Sequence, residues 1–230
     1  MPVGAMTFDV DFLVSLLEII GVNLILSGDN AVVIALACRS LPKRQQRLGV
    51  ALGSAAAVVL RIVFTVFVVY LMTVPYLKLA GGALLFWIGY QVLQPNDGES
   101  KVNASDHVFG AVRTILIADA VMSLDNVIAI AAAAHGNHLL LVLGLVISVP
   151  MAVYGATLLI RAIERFPVIV YFGAGLIGYI GGEVAIGDPA VSPWLDSHAH
   201  WSHIAVPLAG AAVVLAIGRF GQIRARNANA

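Results

Sequence analysis

Residues 27–35 read Ser-Gly-Asp-Asn-Ala-Val-Val-Ile-Ala, and residues 123–131 read Ser-Leu-Asp-Asn-Val-Ile-Ala-Ile-Ala. The two aspartates, Asp29 and Asp125, are 125 − 29 = 96 residues apart. Each lies in a long, otherwise apolar stretch, where a carboxylate is costly. The chain therefore contains an internal repeat, and the repeated element places an acid followed by an amide among apolar residues.

The composition around these motifs indicates a membrane protein. Of the 230 residues, 60% are hydrophobic and only 11% are charged, whereas a soluble domain usually has about a quarter of its residues charged. Such a chain has too few polar side chains to cover a water-soluble globule, so lipid is its expected solvent. The single cysteine, Cys38, excludes an internal disulfide and a Cys-rich metal site. Residues 1–11 contain no Lys or Arg, so no cleavable signal peptide is expected.

Apolar runs of the roughly 20 residues that a bilayer requires predict seven transmembrane helices in an all-α, polytopic fold. The predicted spans are residues 12–37, 48–74, 76–93, 107–134, 138–160, 166–186 and 204–220. We expect one transmembrane domain over residues 1–230. It comprises a first repeat at about 9–93, a second at about 107–186, and a seventh helix at about 204–220.

The basic residues predict the orientation. With seven alternating spans, eleven of them fall on one side, which the positive-inside rule assigns to the cytoplasm; Lys78 falls on the other side and Arg61 falls mid-membrane. The expected location is the bacterial inner membrane, with the N-terminus outside and the C-terminus in the cytoplasm. Residues 81–91 also resemble residues 173–183 at an offset of 92. Because each repeat holds three spans, the second must have inverted topology, as in many secondary transporters.

The acids within the predicted spans are the main functional signal. Asp and Lys each cost about 2.5–3.5 kcal/mol at a helix centre, and one predicted buried base, Arg61, opposes several acids. Protons or metal cations must neutralise the remainder. Four acids lie deep in the spans, and a fifth, Glu183, lies near the end of one: Glu18, Asp29, Asp119, Asp125 and Glu183.

The residue types favour a hard divalent cation. Carboxylate, amide and backbone oxygens suit Mg, Ca and Mn rather than Cu or Zn, and the composition does not separate these three. Asn23 aligns with Asp119 at the offset of 96. On an unbroken helix, Glu18 and Asp29 would share a face about 16 Å apart, too far for one ion. We therefore expect helix interruptions at both Asp-Asn elements, bringing the carboxylates and carbonyls together near the midplane.

The two motifs resemble a known family. Residues 18–30 (Glu-Ile-Ile-Gly-Val-Asn-Leu-Ile-Leu-Ser-Gly-Asp-Asn) and residues 119–126 (Asp-Ala-Val-Met-Ser-Leu-Asp-Asn) are similar to the acidic motifs of the TerC family of bacterial integral membrane proteins, in particular its short YjbE-type members. The resemblance covers nearly the whole chain. It implies a manganese(II) exporter, with metal ligands at the motif positions Glu18, Asn23, Asp29, Asn30, Asp119, Asp125 and Asn126.

No nucleotide-binding motif is present, so exchange with protons through the carboxylates is the expected driving force. No prosthetic group, nucleic-acid partner or enzymatic activity is expected. The alternatives are a secretion-linked protein that supplies metal to exported enzymes, an exporter of another divalent cation such as calcium and, remotely, an intramembrane aspartyl protease. The Tyr-Asp and Gly-x-Gly-Asp pairing usual in those proteases is absent. Beyond manganese and the lipid bilayer, a second copy of the chain and a secretion machinery are the partners left open.

Several features carry a structural interpretation beside a functional one. The buried acids could instead be protonated packing residues, and Arg61 either a counter-ion or a mobile gate. His198, His200 and His203, beside Asp196, could receive exported metal or could be solvated loop residues. The basic run at 39–47 is a topology signal that also favours contact with anionic lipid. The Gly-rich stretch 173–182 is expected to be a close helix-packing face rather than a phosphate loop.

Overall fold

The fold is taken from a computed structural model, which describes residues 14, 16–17, 19–21, 28–71, 73–94, 104–133 and 138–228. These residues form helices and short connections without a strand, so the all-α prediction is confirmed for this part of the chain. The helices with defined bounds within it are α1 (Gly28–Cys38), α2 (Lys43–Leu71), α3 (Leu77–Leu93), α4 (Ala104–Ala133), α5 (His138–Arg165), α6 (Val168–Ile186), α7 (Ser192–His198) and α8 (Ser202–Ala228).

The described helices overlap the segments predicted as spans, and two differences stand out. First, α2, α5 and α8 extend beyond their apolar runs into the basic segments, because Lys, Arg and Gln are good helix formers once outside the lipid. Second, the short helix α7 lies in the segment 187–203, which was expected to be a loop. Much of the first predicted span, 12–37, lies outside the described residues.

Length and composition qualify five helices of the described chain to cross a membrane. These are the apolar parts of α2, α4, α5, α6 and α8, while α1 and α3 are shorter apolar helices. Their outward faces are apolar: Tyr154, Phe172 and Phe220 are each more than 70% exposed. Side chains of this kind on the exterior of a helical bundle indicate a lipid-facing surface.

The helices pack in two groups. In the first group, α6 packs extensively against α3 and α8, and α3 also contacts α8. In the second group, α2 packs extensively against α4, and α1 packs against α5. Within the second group, α1 also contacts α4, and α5 also contacts α2. Contacts of α1 with α6 and of α3 with α4 join the two groups. The buried Arg61–Asp119 ion pair described below lies in the second group, between α2 and α4.

Glycines allow the first group to pack backbone against backbone. A Cβ on Gly82 of α3 would lie 2.5 Å from the carbonyl oxygen of Gly181 in α6, and one on Gly178 would lie 2.7 Å from that of Gly210 in α8. Real Cβ atoms do not approach this closely, so larger residues would force the helices apart. The prediction that 173–182 is a close helix-packing face is confirmed, since small residues drive helix association in lipid.

Asp188 caps the start of α3 from the far end of α6. Its side chain is fully buried and accepts hydrogen bonds from the backbone N–H groups of Tyr76 (3.0 Å), Lys78 (3.0 Å), Leu79 (3.2 Å) and Ala190 (2.9 Å). Tyr76 has a φ of 66°, a left-handed conformation that costs a non-glycine residue about 1–2 kcal/mol. The carboxylate therefore satisfies orphan donors of a helix N-terminus and holds a strained backbone.

We expect Asp188→Asn to lower the free energy of unfolding by about 1–3 kcal/mol at neutral pH, because one charged acceptor serves several buried donors. Burial raises the pKa of Asp188, but the four backbone hydrogen bonds outweigh it and hold the pKa below its ordinary value of 3.8. The stabilisation is therefore present at neutral pH and is lost as the pH falls through this lowered pKa.

Unfolding of the detergent-solubilised protein, followed by tryptophan fluorescence at several pH values, measures this effect. Asp196→Asn is the matched control, since Asp196 is an exposed acid whose side chain is 59% accessible; it should change stability by less than about 0.5 kcal/mol. Equal effects of the two substitutions would contradict the capping role of Asp188.

Candidate metal-cation site

A buried ion pair joins α2 to α4 in the apolar part of the bundle. Arg61 Nη2 lies 2.5 Å from Asp119 Oδ1, and Arg61 Nε donates to Ser123 Oγ at 3.1 Å. Ser123 Oγ in turn donates to Asp119 Oδ2 at 3.2 Å. The three residues are at most 4% exposed. The Asp119 carboxylate is thus hydrogen-bonded through both oxygens, to a cation and to a hydroxyl.

The spacing along both helices explains why these groups meet. Asp119 and Ser123 are four residues apart and lie on one face of α4. Gly53, eight residues before Arg61 on α2, faces Ile115, where a Cβ would collide with the isoleucine side chain. The helices α2 and α4 therefore meet at two levels, Gly53 against Ile115 and Arg61 against Asp119.

The first Asp-Asn motif approaches the same carboxylate from α1. Asn30 is 6% exposed and, together with Asp119, lines a cavity of about 10 Å³ between α1 and α4. That volume is close to the room one water molecule needs. Asp29 is partly buried, and its Oδ1 accepts the backbone N–H of Asn30 at 2.8 Å. Polar side chains from α1 and from α4 therefore line one small cavity.

The predicted site residues have different outcomes. Asn30 and Asp119 are brought together, and Asp29 lies beside Asn30. Asp125 and Asn126 lie on α4, but their side chains, like the whole of Glu18 and Asn23, are outside the described residues. Glu183, considered near the end of a span, is exposed on α6. Within the described part of the chain, no three His, Cys, Asp or Glu side chains form a cluster suited to a metal.

The prediction of a helix interruption at the second Asp-Asn element is wrong. α4 is helical without a break from Ala104 to Ala133, through Asp125 and Asn126. Within such a helix the backbone amides and carbonyls bond to each other, and the flanking sequence holds no Gly or Pro that would favour a break. For the first element, the segment before Gly28 lies outside the described residues.

Sequence reasoning did not identify the two partners of Arg61. Arg61 was recognised as a buried base, but it was not assigned to Asp119, and Ser123 was noted only as part of the repeat. The spacing of four residues between Asp119 and Ser123 was the available signal, because it places both side chains on one helix face. Asp188 was not predicted at all, since three of its four hydrogen-bonding partners lie 109–112 residues away.

The histidine segment around α7 is tied to its own neighbours. His203 Nε2 lies 2.7 Å from Asp196 Oδ1, and the His198 ring stacks on Trp194 with centroids 5.4 Å apart. Trp194 and Trp201 are 60% and 70% exposed. This arrangement favours the interpretation of solvated and interfacial residues over that of a metal-receiving loop.

Taken with the apolar exterior, the buried Arg61–Asp119 pair defines the class: a multi-pass helical membrane protein with charged groups in its core. A model of the integral membrane protein TerC family matches residues 8–226, and the chain belongs to this family. It is 43% identical over 213 residues to the uncharacterized membrane protein YjbE of Bacillus subtilis (strain 168), covering 93% of this chain and 98% of YjbE.

A second relative is the uncharacterized membrane protein YceF of Bacillus subtilis (strain 168). It is 26% identical over 172 residues, which covers 70% of this chain and 66% of YceF. No solved structure matches the chain. The family assignment expected from the two acidic motifs is confirmed, and the family match indicates no class of enzyme.

Proposed function

We propose that this protein exports manganese(II) from the cytoplasm in exchange for protons. The observation that carries the proposal is the meeting of Asn30 and Asp119 at one cavity, with Arg61 bound to the carboxylate. A carboxylate in an apolar bundle is rare and usually marks an ion pathway. Carboxylate and amide oxygens are suitable ligands for manganese.

We further propose seven spans with inverted three-helix repeats and a C-terminus in the cytoplasm. Exchanging α1 with α4, α2 with α5 and α3 with α6 maps the α1–α5 contact onto α4–α2, and the α1–α6 contact onto α4–α3. The pairs α1–α4, α2–α5 and α3–α6 map onto themselves, and all of these pairs are in contact. These pairs follow the pattern expected of two repeats related by a pseudo-two-fold axis, which supports the proposal. The smaller contacts of α1 with α2, and of α6 with α4 and α5, have no counterpart of similar extent among the described residues.

In the proposed cycle, Arg61 substitutes for the metal when the site is empty. A guanidinium on Asp119 neutralises the carboxylate, which would otherwise be an isolated charge in a low-dielectric environment. An entering divalent cation competes with Arg61 for the same oxygens, and the departing guanidinium retains the Ser123 hydroxyl as a partner. Proton binding by the carboxylates on the opposite side then favours release of the metal.

The energetics require coupling to a second ion. Moving a divalent cation outward against an inside-negative potential of 100 mV costs about 4.6 kcal/mol before any concentration term. Inward movement of two protons through the same potential would return that amount. A proton-coupled cycle is therefore sufficient without nucleotide hydrolysis.

Metal content and transport together test the proposal. Cells lacking the protein should accumulate manganese and cells overproducing it should lose manganese, with calcium unchanged, as measured by mass spectrometry. In proteoliposomes, manganese flux should depend on an imposed pH gradient. If the purified protein transports calcium but not manganese, calcium is the substrate and the proposal of manganese is wrong. A manganese phenotype in cells without flux in proteoliposomes would favour the accessory role in supplying metal to secreted enzymes.

A further inference from the structure

A basic cavity lies between the first turns of α2 and the last turns of α5, away from the Arg61–Asp119 site. Its volume is about 190 Å³. Lys43 and Arg47 line it from α2, and Arg161 and Glu164 line it from α5. Three cations and one acid give it a formal excess of two positive charges. A concave site of this composition is suited to an anion.

The cations of this cavity are available to a ligand. All three are exposed, and within the described part of the chain no carboxylate forms an ion pair with Lys43, Arg47 or Arg161. Lys43 and Arg47 also lie in the first turns of a 29-residue helix, whose N-terminal dipole favours a negative group there. Both charge and helix polarity therefore select an anion.

An apolar groove continues from this cavity along the lipid-facing side of α5. It has a volume of about 360 Å³, and Thr157 and Arg161 line both spaces. The rest of the groove is formed by Pro150, Val153, Tyr154 and Leu158. Tyr154 and Leu158 are 74% and 55% exposed. Thr157 directs its hydroxyl to the Val153 carbonyl at 2.7 Å, so the groove wall is apolar.

We propose that this pair of cavities binds one anionic phospholipid, with its phosphate among Lys43, Arg47 and Arg161 and one acyl chain along the α5 groove. A soluble anion would use the basic cavity but not the groove, whereas an acyl chain would use the groove but not the cations. Only a lipid with a charged headgroup matches both parts. The cavity lies on the side rich in basic residues, where basic pockets between transmembrane helices bind such headgroups.

Lipid binding to the purified full-length protein, followed by native mass spectrometry, tests the proposal. The probes are dioleoyl phosphatidylglycerol, dioleoyl phosphatidylcholine and glycerol 3-phosphate. We expect the phosphatidylglycerol to bind at least tenfold more tightly than the phosphatidylcholine, which has the same acyl chains. Glycerol 3-phosphate should fail to displace it at a hundredfold excess, because it lacks the acyl part.

Two variants and a matched control locate the site. The triple substitution K43Q/R47Q/R161Q should weaken phosphatidylglycerol binding at least tenfold. The control R44Q/R113Q/R219Q removes equal charge from three exposed positions that line neither cavity and should weaken it less than threefold. Leu158→Trp fills the groove from a lipid-exposed position and should weaken binding at least fivefold. Unfolding of all variants without added lipid should match that of the unmodified protein.

Three results would overturn the proposal. Equal weakening by the two triple substitutions would mean diffuse electrostatic attraction instead of a site. Displacement of the lipid by glycerol 3-phosphate at or below a hundredfold excess would indicate a site for soluble anions. The third result is a dimer that binds no lipid and that dissociates in the Leu158→Trp variant. It would mean that the groove is a contact between copies of the protein.

Discussion

Asp119→Leu is expected to lower the free energy of unfolding by about 3–5 kcal/mol, because it leaves the Arg61 guanidinium buried without its carboxylate. Arg61 is 4% exposed and donates to both Asp119 and Ser123. Ser123→Ala removes only the hydroxyl and should cost about 1 kcal/mol. Unfolding of the detergent-solubilised protein by increasing SDS measures both effects.

The double variant Arg61→Leu/Asp119→Leu separates stability from transport. Replacing both partners of a buried ion pair by apolar side chains is often neutral or stabilising, so most of the lost stability should return. Manganese transport should stay absent, since the carboxylate is gone. A double variant that regained transport along with stability would show that the pair is purely structural, and it would remove Asp119 from the proposed pathway.

Asp29→Asn is expected to reduce manganese flux at least tenfold while leaving the fold intact. The substitution keeps the shape of the side chain and an oxygen acceptor for the Asn30 N–H, which Asp29 Oδ1 now binds at 2.8 Å. It removes one of the negative charges on which affinity for a divalent cation depends. Asp125→Asn should have a similar effect, because it stands at the equivalent position of the second repeat.

Manganese flux into inside-out vesicles measures the effect of each substitution. The flux is divided by the amount of protein in the membrane. Glu183→Gln is the matched control: it neutralises an acid of a predicted span whose side chain is exposed on α6, and it should retain at least half of the flux. Normal flux in Asp29→Asn would place the cation elsewhere. An equal loss in Glu183→Gln would point to a general effect of charge.

The candidate site was partly accessible to sequence reasoning. Asp29, Asp119 and Asp125 were selected because acids in an apolar stretch are unusual, and Asn30 because it follows Asp29 in the repeated motif. The offset of 96 residues relates the two copies of that motif. The same reasoning predicted a break in the helix around Asp125, but α4 is continuous there, and its sequence has no Gly or Pro near Asp125 and Asn126 to favour a break. The ion-pair partner of Arg61 could not be predicted, because it depends on the rotation of α2 relative to α4. The periodicity of residues along one helix carries no information about that rotation.

Sequence alone determined that the chain is helical, lies in lipid and belongs to its family, because partition into a bilayer depends on summed side-chain hydrophobicity and backbone hydrogen bonding within each segment. It also identified the Gly-rich packing face of α6. Only the tertiary structure decided that Asp119 pairs with Arg61, that Asp188 caps α3 from a hundred residues away, and that Lys43, Arg47 and Arg161 share a cavity. Each of these depends on the distance and rotation between helices, which arise from the packing of the whole bundle and are not encoded in any single segment.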